Sequence, residues 1–203
     1  HMNRKKYLNQ AIDEFEHWWI KYSHSTSMDY YQNTITYNYL KTLPDNDFID
    51  FFYEFASKGG YVQSGGDRTK NKLRNTMLKD LNRFRVFILN PFKDTFEPKK
   101  WFAQIANFNG FGIGIATIYL NRVDYNKYPI MNNKTLKALQ ALGYNISSSK
   151  NWNNYERVKK HQNDLMAKYP SLKNYYKADR LNHFLIAVYQ VETLLSDYQQ
   201  NET

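Results

Sequence analysis

The sequence predicts an all-α chain of helices joined by short connectors, and three observations carry that expectation. Apolar residues recur at helical spacing in one segment after another. Pro44, Pro91, Pro98 and Pro170 fall between those segments, where a proline stops or starts a helix. The stretch Phe108–Ala116 alternates glycine with larger residues between an amphipathic run and an unbroken apolar one, which describes a hairpin between two helices.

The elements follow in order. From Arg4 to about Tyr22, the residues Leu8, Ala11, Ile12, Phe15, Trp18, Trp19 and Tyr22 share one stripe, the mark of a helix that buries that face. Aromatics on such a stripe pack in a core more often than they stack a ligand. Asp29 to about Leu43 reads as a Tyr-rich second helix, stopped by Pro44, and Asp45 or Asp47 caps a third that carries Phe48, Ile49, Phe51, Phe52 and Phe55. The two Gly pairs within Lys58–Thr69 enclose Tyr61, Val62, Gln63 and Ser64 in a loop. A long basic helix is then expected from about Asp67 to Leu89, with Leu73, Met77, Leu81, Phe84 and Ile88 inward and Arg68, Lys70, Lys72, Arg74 and Lys79 gathered near one side. Glu97-Pro98 opens the helix that leads to the hairpin. After the second hairpin helix come a loop, Asn121 to Lys127, and two amphipathic helices, Asn151 to about Lys168 and Ser171 to about Gln199. His1-Met2 reads as a cloning scar, and residues 3–203 as a single helical domain without an internal repeat.

Composition narrows the chemistry. The chain has no cysteine, so a disulfide, a thiolate zinc site and an iron–sulfur cluster are excluded. No apolar run reaches the roughly 18 residues of a membrane span and no signal peptide is visible, so a soluble cytoplasmic protein is expected. The formal charge of +9 is unevenly placed. Residues 1–57 carry five basic and eight acidic side chains, residues 58–100 eleven and four, and residues 101–203 twelve and seven. The basic excess begins just before the hairpin and includes it, which is where a polyanion would lie.

At the hairpin, Gly110 and Gly112 allow a turn that a side chain would strain. Gly112 and Gly114 leave the first amides of the following helix uncovered at its positive end, a place for a phosphate. The segment Lys99–Asn107 before it has helical rather than strand spacing, which argues against a dinucleotide-binding loop.

The run Phe108-Asn109-Gly110-Phe111-Gly112-Ile113-Gly114-Ile115-Ala116 resembles the helix-hairpin-helix of the DNA glycosylase superfamily that includes endonuclease III, whose hairpin reads leucine, proline, glycine, valine, glycine, any residue, lysine, threonine, alanine. The resemblance implies a glycosylase-like helical fold that grips double-stranded DNA at Asn109, Gly110, Phe111, Gly112 and Gly114. It also implies a polar side chain from an earlier loop that fills the gap left by an extruded base. Gln63, beside Ser64, is the residue for that place, against its reading as an ordinary surface glutamine. Arg68, Lys70 and Arg74 are expected to touch the backbone of the same duplex.

Two catalytic positions of that superfamily are altered. Bifunctional base excision needs an amine nucleophile, and Gly114 stands where the family has lysine. Monofunctional excision needs a carboxylate, and matching Tyr128-Pro129-Ile130 and Lys137-Ala138-Leu139 to the family puts that position at Asn132, or at Asn133 if the register slips by one. An amide can hydrogen-bond there but cannot take a proton. Asp124 is the one nearby carboxylate, and a solvated loop role beside Arg122 and Lys127 suits it better. His17, His24, His161 and His183 have no metal-ligand spacing, and no phosphate-binding G-x-x-x-x-G-K-[ST] loop exists, so no metal and no cofactor are expected.

The stretch Gly59–Arg68 with a downstream hairpin is similar to the amino-terminal recognition region of McrB-type proteins, the AAA+ GTPase subunits of modification-dependent restriction systems. This implies a specificity module that reads a modified base, such as a methylated one, by flipping it, beside a GTPase motor and a nuclease subunit. An active glycosylase and a purely structural or protein-interaction domain are the alternatives. Trp18, Trp19, Tyr61, Trp101 and Trp152 are the aromatic candidates for a base pocket.

Overall fold

The computed structural model describes residues 2–22, 26–58 and 66–190. Every regular element among them is helical, and the expected all-α class holds. The helices are α1 (Met2–Tyr22), α2 (Thr26–Thr34), α3 (Tyr37–Thr42), α4 (Asp45–Lys58), α5 (Gly66–Lys79), α6 (Leu81–Leu89), α7 (Pro98–Gln104), α8 (Ile113–Val123), α9 (Asn133–Ala141), α10 (Trp152–Lys168) and α11 (Tyr175–His183). None is long and apolar enough to cross a membrane.

The chain forms two compact units, one, the inner in sequence, built from 26–128 and the other, the outer in sequence, from 1–25 with 129–203. Two helices of the inner unit are also shorter than their periodicity suggests. The expected Asp29–Leu43 helix breaks at Ile35 and Thr36, where the Thr36 hydroxyl accepts from the Tyr39 amide and caps α3. The long basic helix breaks at Asp80, whose carboxylate accepts from the Arg83 amide at 3.2 Å and caps α6. Both interruptions are short polar side chains bonding to nearby amides, which compete with continuation of the helix. Asp45 and Asp47 lie in the first turn of α4 rather than before it, and there they complement the helix dipole.

The inner unit is organised around aromatic rings. Phe48, Phe52 and Phe55 of α4, Phe84 of α6, Trp101 of α7, Phe111 of the hairpin and Tyr119 of α8 are all fully buried. They meet mostly edge to face, as Phe52 and Phe84 do at 5.5 Å and Phe84 and Phe111 at 5.4 Å. The two buried polar tips find acceptors: Trp101 Nε1 donates to the Phe87 carbonyl at 2.8 Å and Tyr119 Oη to the Ile88 carbonyl at 2.5 Å. Trp101 also stacks on Phe87 at 4.3 Å. Arg85 donates to the Leu40 and Leu43 carbonyls and to Asp45, and so ties down the turn between α3 and α4.

The outer unit packs α1 with α9, α10 and α11 around Ala11, Ile12, Phe15, Ala138, Leu165, Leu181, Phe184 and Leu185. Trp18 and Trp19 border this core as their stripe predicts. Lys177 is buried here because Glu16 and the Ser171 carbonyl accept from its ammonium at 2.9 and 2.7 Å. After His183 the helix widens into one π turn, Phe184–Val188, so the expected run from Ser171 changes pitch there.

Candidate nucleic-acid interface

The hairpin is anchored by its large residues and opened by its small ones. A single 3₁₀ turn, Ile105–Asn107, follows α7, and the Phe111 amide donates back to the Phe108 carbonyl at 3.0 Å. Phe108 lies 4.5 Å from the Phe87 ring, and Phe111 is wholly buried. Between them Gly110 has φ +88°, and a Cβ placed on it would sit 2.3 Å from the Leu73 amide nitrogen of α5. Glycine is required there twice over, for the left-handed backbone and for helix contact. The Thr76 hydroxyl donates to the Asn109 carbonyl at 2.6 Å and fastens α5 to the tip of the turn.

Gly112 differs. Its φ is −72°, it is exposed, and a Cβ there would meet nothing within 4 Å. It is the N-cap of α8, with no side chain capping that end. The Ala116 amide is satisfied by the Gly112 carbonyl at 2.8 Å, while Ile113, Gly114 and Ile115 supply the first-turn amides that such a helix leaves unpaired.

Beside the hairpin runs a cleft of about 560 Å³ between α5, the start of α6 and the turn. Lys72, Asn75 and Lys79 share one face of α5, Arg83 enters from α6, and Asn107 and Asn109 enter from the hairpin. Three cations therefore face one carboxylate, Asp80, which is engaged by the Arg83 amide. The Arg83 guanidinium lies 5.5 Å from the Phe108 ring centroid, and Arg83 lines both this cleft and a neighbouring hollow of about 330 Å³ that Asn82, Asn90 and Gln104 help to line. Cations beside carboxamides can hold phosphates and hydrogen-bond base edges at the same time.

The expected site residues divide accordingly. Asn109, Gly112 and Gly114 lie on the accessible side of the turn. Gly110 faces α5, and Phe111 must be corrected, since a fully buried core ring cannot touch a strand. Lys70 and Arg74 flank the Tyr53 ring of α4 at 5.1 and 5.5 Å, apart from the cleft lining. Gln63, Ser64 and Tyr61, and the side chain of Arg68, lie outside the described residues. Asn132 needs a second correction. It is 6 % exposed and caps α9, accepting from the Thr135 amide at 3.0 Å while its own amide donates to the Thr135 hydroxyl at 3.2 Å. That reciprocal pair is a capping box, which gives the position a structural role. Trp101, as a core ring, is withdrawn from the pocket candidates.

Asp124 caps the end of α8, and its carboxylate accepts from the Asn126 amide at 2.9 Å. Arg122 turns inward, where its Nη1 donates to the Asn121 side chain at 2.7 Å. Asn75, Thr76, Asp80, Arg83 and Asn107 are the cleft residues that sequence reasoning missed. The spacing of Asn75 between Lys72 and Lys79 was the available signal for the first of them. Comparison with family models, curated proteins and solved structures finds no match to this chain.

Proposed function

We propose that the chain is a non-catalytic helix-hairpin-helix module that binds double-stranded DNA and reads a modified base turned out of the duplex, serving as the specificity component of a modification-dependent restriction system. The observation that supports it is the juxtaposition of the open, uncapped α8 terminus with the basic, carboxamide-lined cleft beside it. The amides would hold one phosphate, and Lys72, Lys79 and Arg83 would follow the backbone of the same strand. Asn132 works as a helix cap and Asp124 as a loop cap, so neither carries excision chemistry in this reading. A GTPase motor and a nuclease would act from other chains or domains.

Fluorescence anisotropy with short duplexes at low salt tests the proposal. Gly112→Asp brings a carboxylate to the α8 terminus at a position with room for it, so affinity should fall about tenfold while the melting temperature stays near that of the parent. Equal affinity for the variant would remove the clamp from the account. Duplexes carrying N6-methyladenine, 5-methylcytosine or 5-hydroxymethylcytosine should separate from unmodified DNA. No rise in anisotropy with any of them would leave a structural module. Abasic products that disappear in Asp124→Asn would establish an enzyme instead.

A further inference from the structure

The outer unit holds a second group of cations, arranged differently. α11 puts Arg180 and His183 three residues apart on one face. From α9, Lys134 reaches across so that its Nζ lies 3.1 Å from His183 Nδ1. From α1, Trp18 supplies the floor: the Arg180 guanidinium is 5.5 Å from its ring centroid and the His183 ring 6.2 Å. All four side chains are half-buried.

The counter-charge differs from that at Arg85 and Lys177, which have carboxylate partners, Asp45 and Glu16, both at 2.9 Å. Among the described residues, Lys134 and Arg180 have no such partner. Lys134 donates to an imidazole nitrogen, and Arg180 rests on an aromatic face. Burial and the charges of Arg180 and Lys134 together push His183 down to about 4, so that at neutral pH the ring is uncharged. An acceptor at Nδ1 leaves the proton of that neutral ring on Nε2.

We propose that Lys134, Arg180 and His183, assembled against Trp18, form a binding site for a phosphate group. Guanidinium offers two parallel donors to a tetrahedral oxyanion, and ammonium a third. The bound charge would offset those of Lys134 and Arg180 and, as the Lys134 ammonium turns from Nδ1 to the phosphate, would favour a proton on His183 Nδ1, adding a further donor. The site stands independently of the DNA reading, because it uses none of the hairpin residues. Inorganic phosphate and the terminal phosphate of a strand present the same chemistry, and the experiment separates them.

The test follows the His183 ring by NMR in the full chain across pH 3 to 7.5, with inorganic phosphate against chloride at equal ionic strength. Phosphate should raise the His183 midpoint by about one pH unit or more, saturably. A Lys134→Gln/Arg180→Gln double variant should lose the phosphate response while keeping the parent far-UV spectrum. Should that variant unfold, the Arg180→Lys single variant, which keeps the charge but loses the fork, should retain a weaker response. A response to a 5′-phosphorylated oligonucleotide but not to its 5′-hydroxyl counterpart or to free phosphate would assign the site to strand ends. Identical midpoints in phosphate and chloride, with no effect of either oligonucleotide, would overturn the proposal, as would an undiminished shift in the folded double variant.

Discussion

Gly110 and Gly112 stand two residues apart in one turn and answer opposite demands. Gly110 is closed in by the α5 backbone and holds a left-handed conformation, so its missing side chain serves the fold. Gly112 has an ordinary backbone and open space where a side chain would go, so glycine there is not a packing requirement. Alternating glycines therefore need not share a purpose. The position that packing leaves unexplained is the one to connect with a ligand.

The largest expected effect breaks that pair apart. Gly110→Ala forces a Cβ into the α5 backbone at a positive φ and should cost about 3 kcal/mol or more. Gly112→Ala should change stability by less than about 0.5 kcal/mol. Chemical denaturation of the two variants beside the parent measures both. Equal losses would mean that the two glycines do the same work after all.

Why one half of this contrast was legible in sequence and the other was not is a matter of range. The hairpin, its flanking helices and Pro98 at the start of α7 rest on residues close in the chain, and all fall where spacing places them. Asp80 was readable in principle, since an Asp just before the apolar Leu81 is a capping signal, but the uninterrupted basic pattern hid it. The clash at Gly110 depends on Leu73, and no local pattern announces which helix crosses a turn. Phe111 likewise looks like an exposed turn residue until α6 supplies Phe84 and Phe87 around it. The cluster at Trp18 gathers residues from both ends of the chain and has no sequence signature.

A similar contrast at Asn132 comes next in size. Asn132→Ala removes the α9 capping box and should cost about 1–2 kcal/mol, whereas Asn132→Asp keeps an acceptor and should be close to neutral. Thermal denaturation distinguishes them. If Asn132→Asp produced abasic sites in duplex DNA, the position would be more than a cap.

The outer unit should also respond to acid. His183 is about 4 when folded against an ordinary value of 6.5, so the unfolded chain binds the proton first as pH falls. The associated stability is fully present above pH 6.5 and is lost as pH falls from there toward 4. The expected loss is about 1 kcal/mol, after allowance for solvent reaching a half-exposed ring. His183→Gln should flatten that slope in urea titrations at pH 7 and pH 4.5. An unchanged slope would locate the acid sensitivity elsewhere.

The smallest effects concern the cleft cations, and they sharpen the difference between its open charges and the half-buried ones at Trp18. Lys72 and Lys79 are exposed, so replacing either with Gln should leave stability unchanged within about 0.5 kcal/mol. If each neutralises one phosphate, each substitution should also lower the slope of log affinity against log salt by about 0.9. Arg83→Gln should lower the slope similarly and, because its guanidinium lies over Phe108, should cost some stability as well. Arg74→Gln is the control, since Arg74 sits beside Tyr53 and outside the cleft lining, and its slope should match the parent. A lower slope for Arg74→Gln with parental slopes for Lys72→Gln and Lys79→Gln would move the DNA path from the hairpin side of α5 to its α4 side.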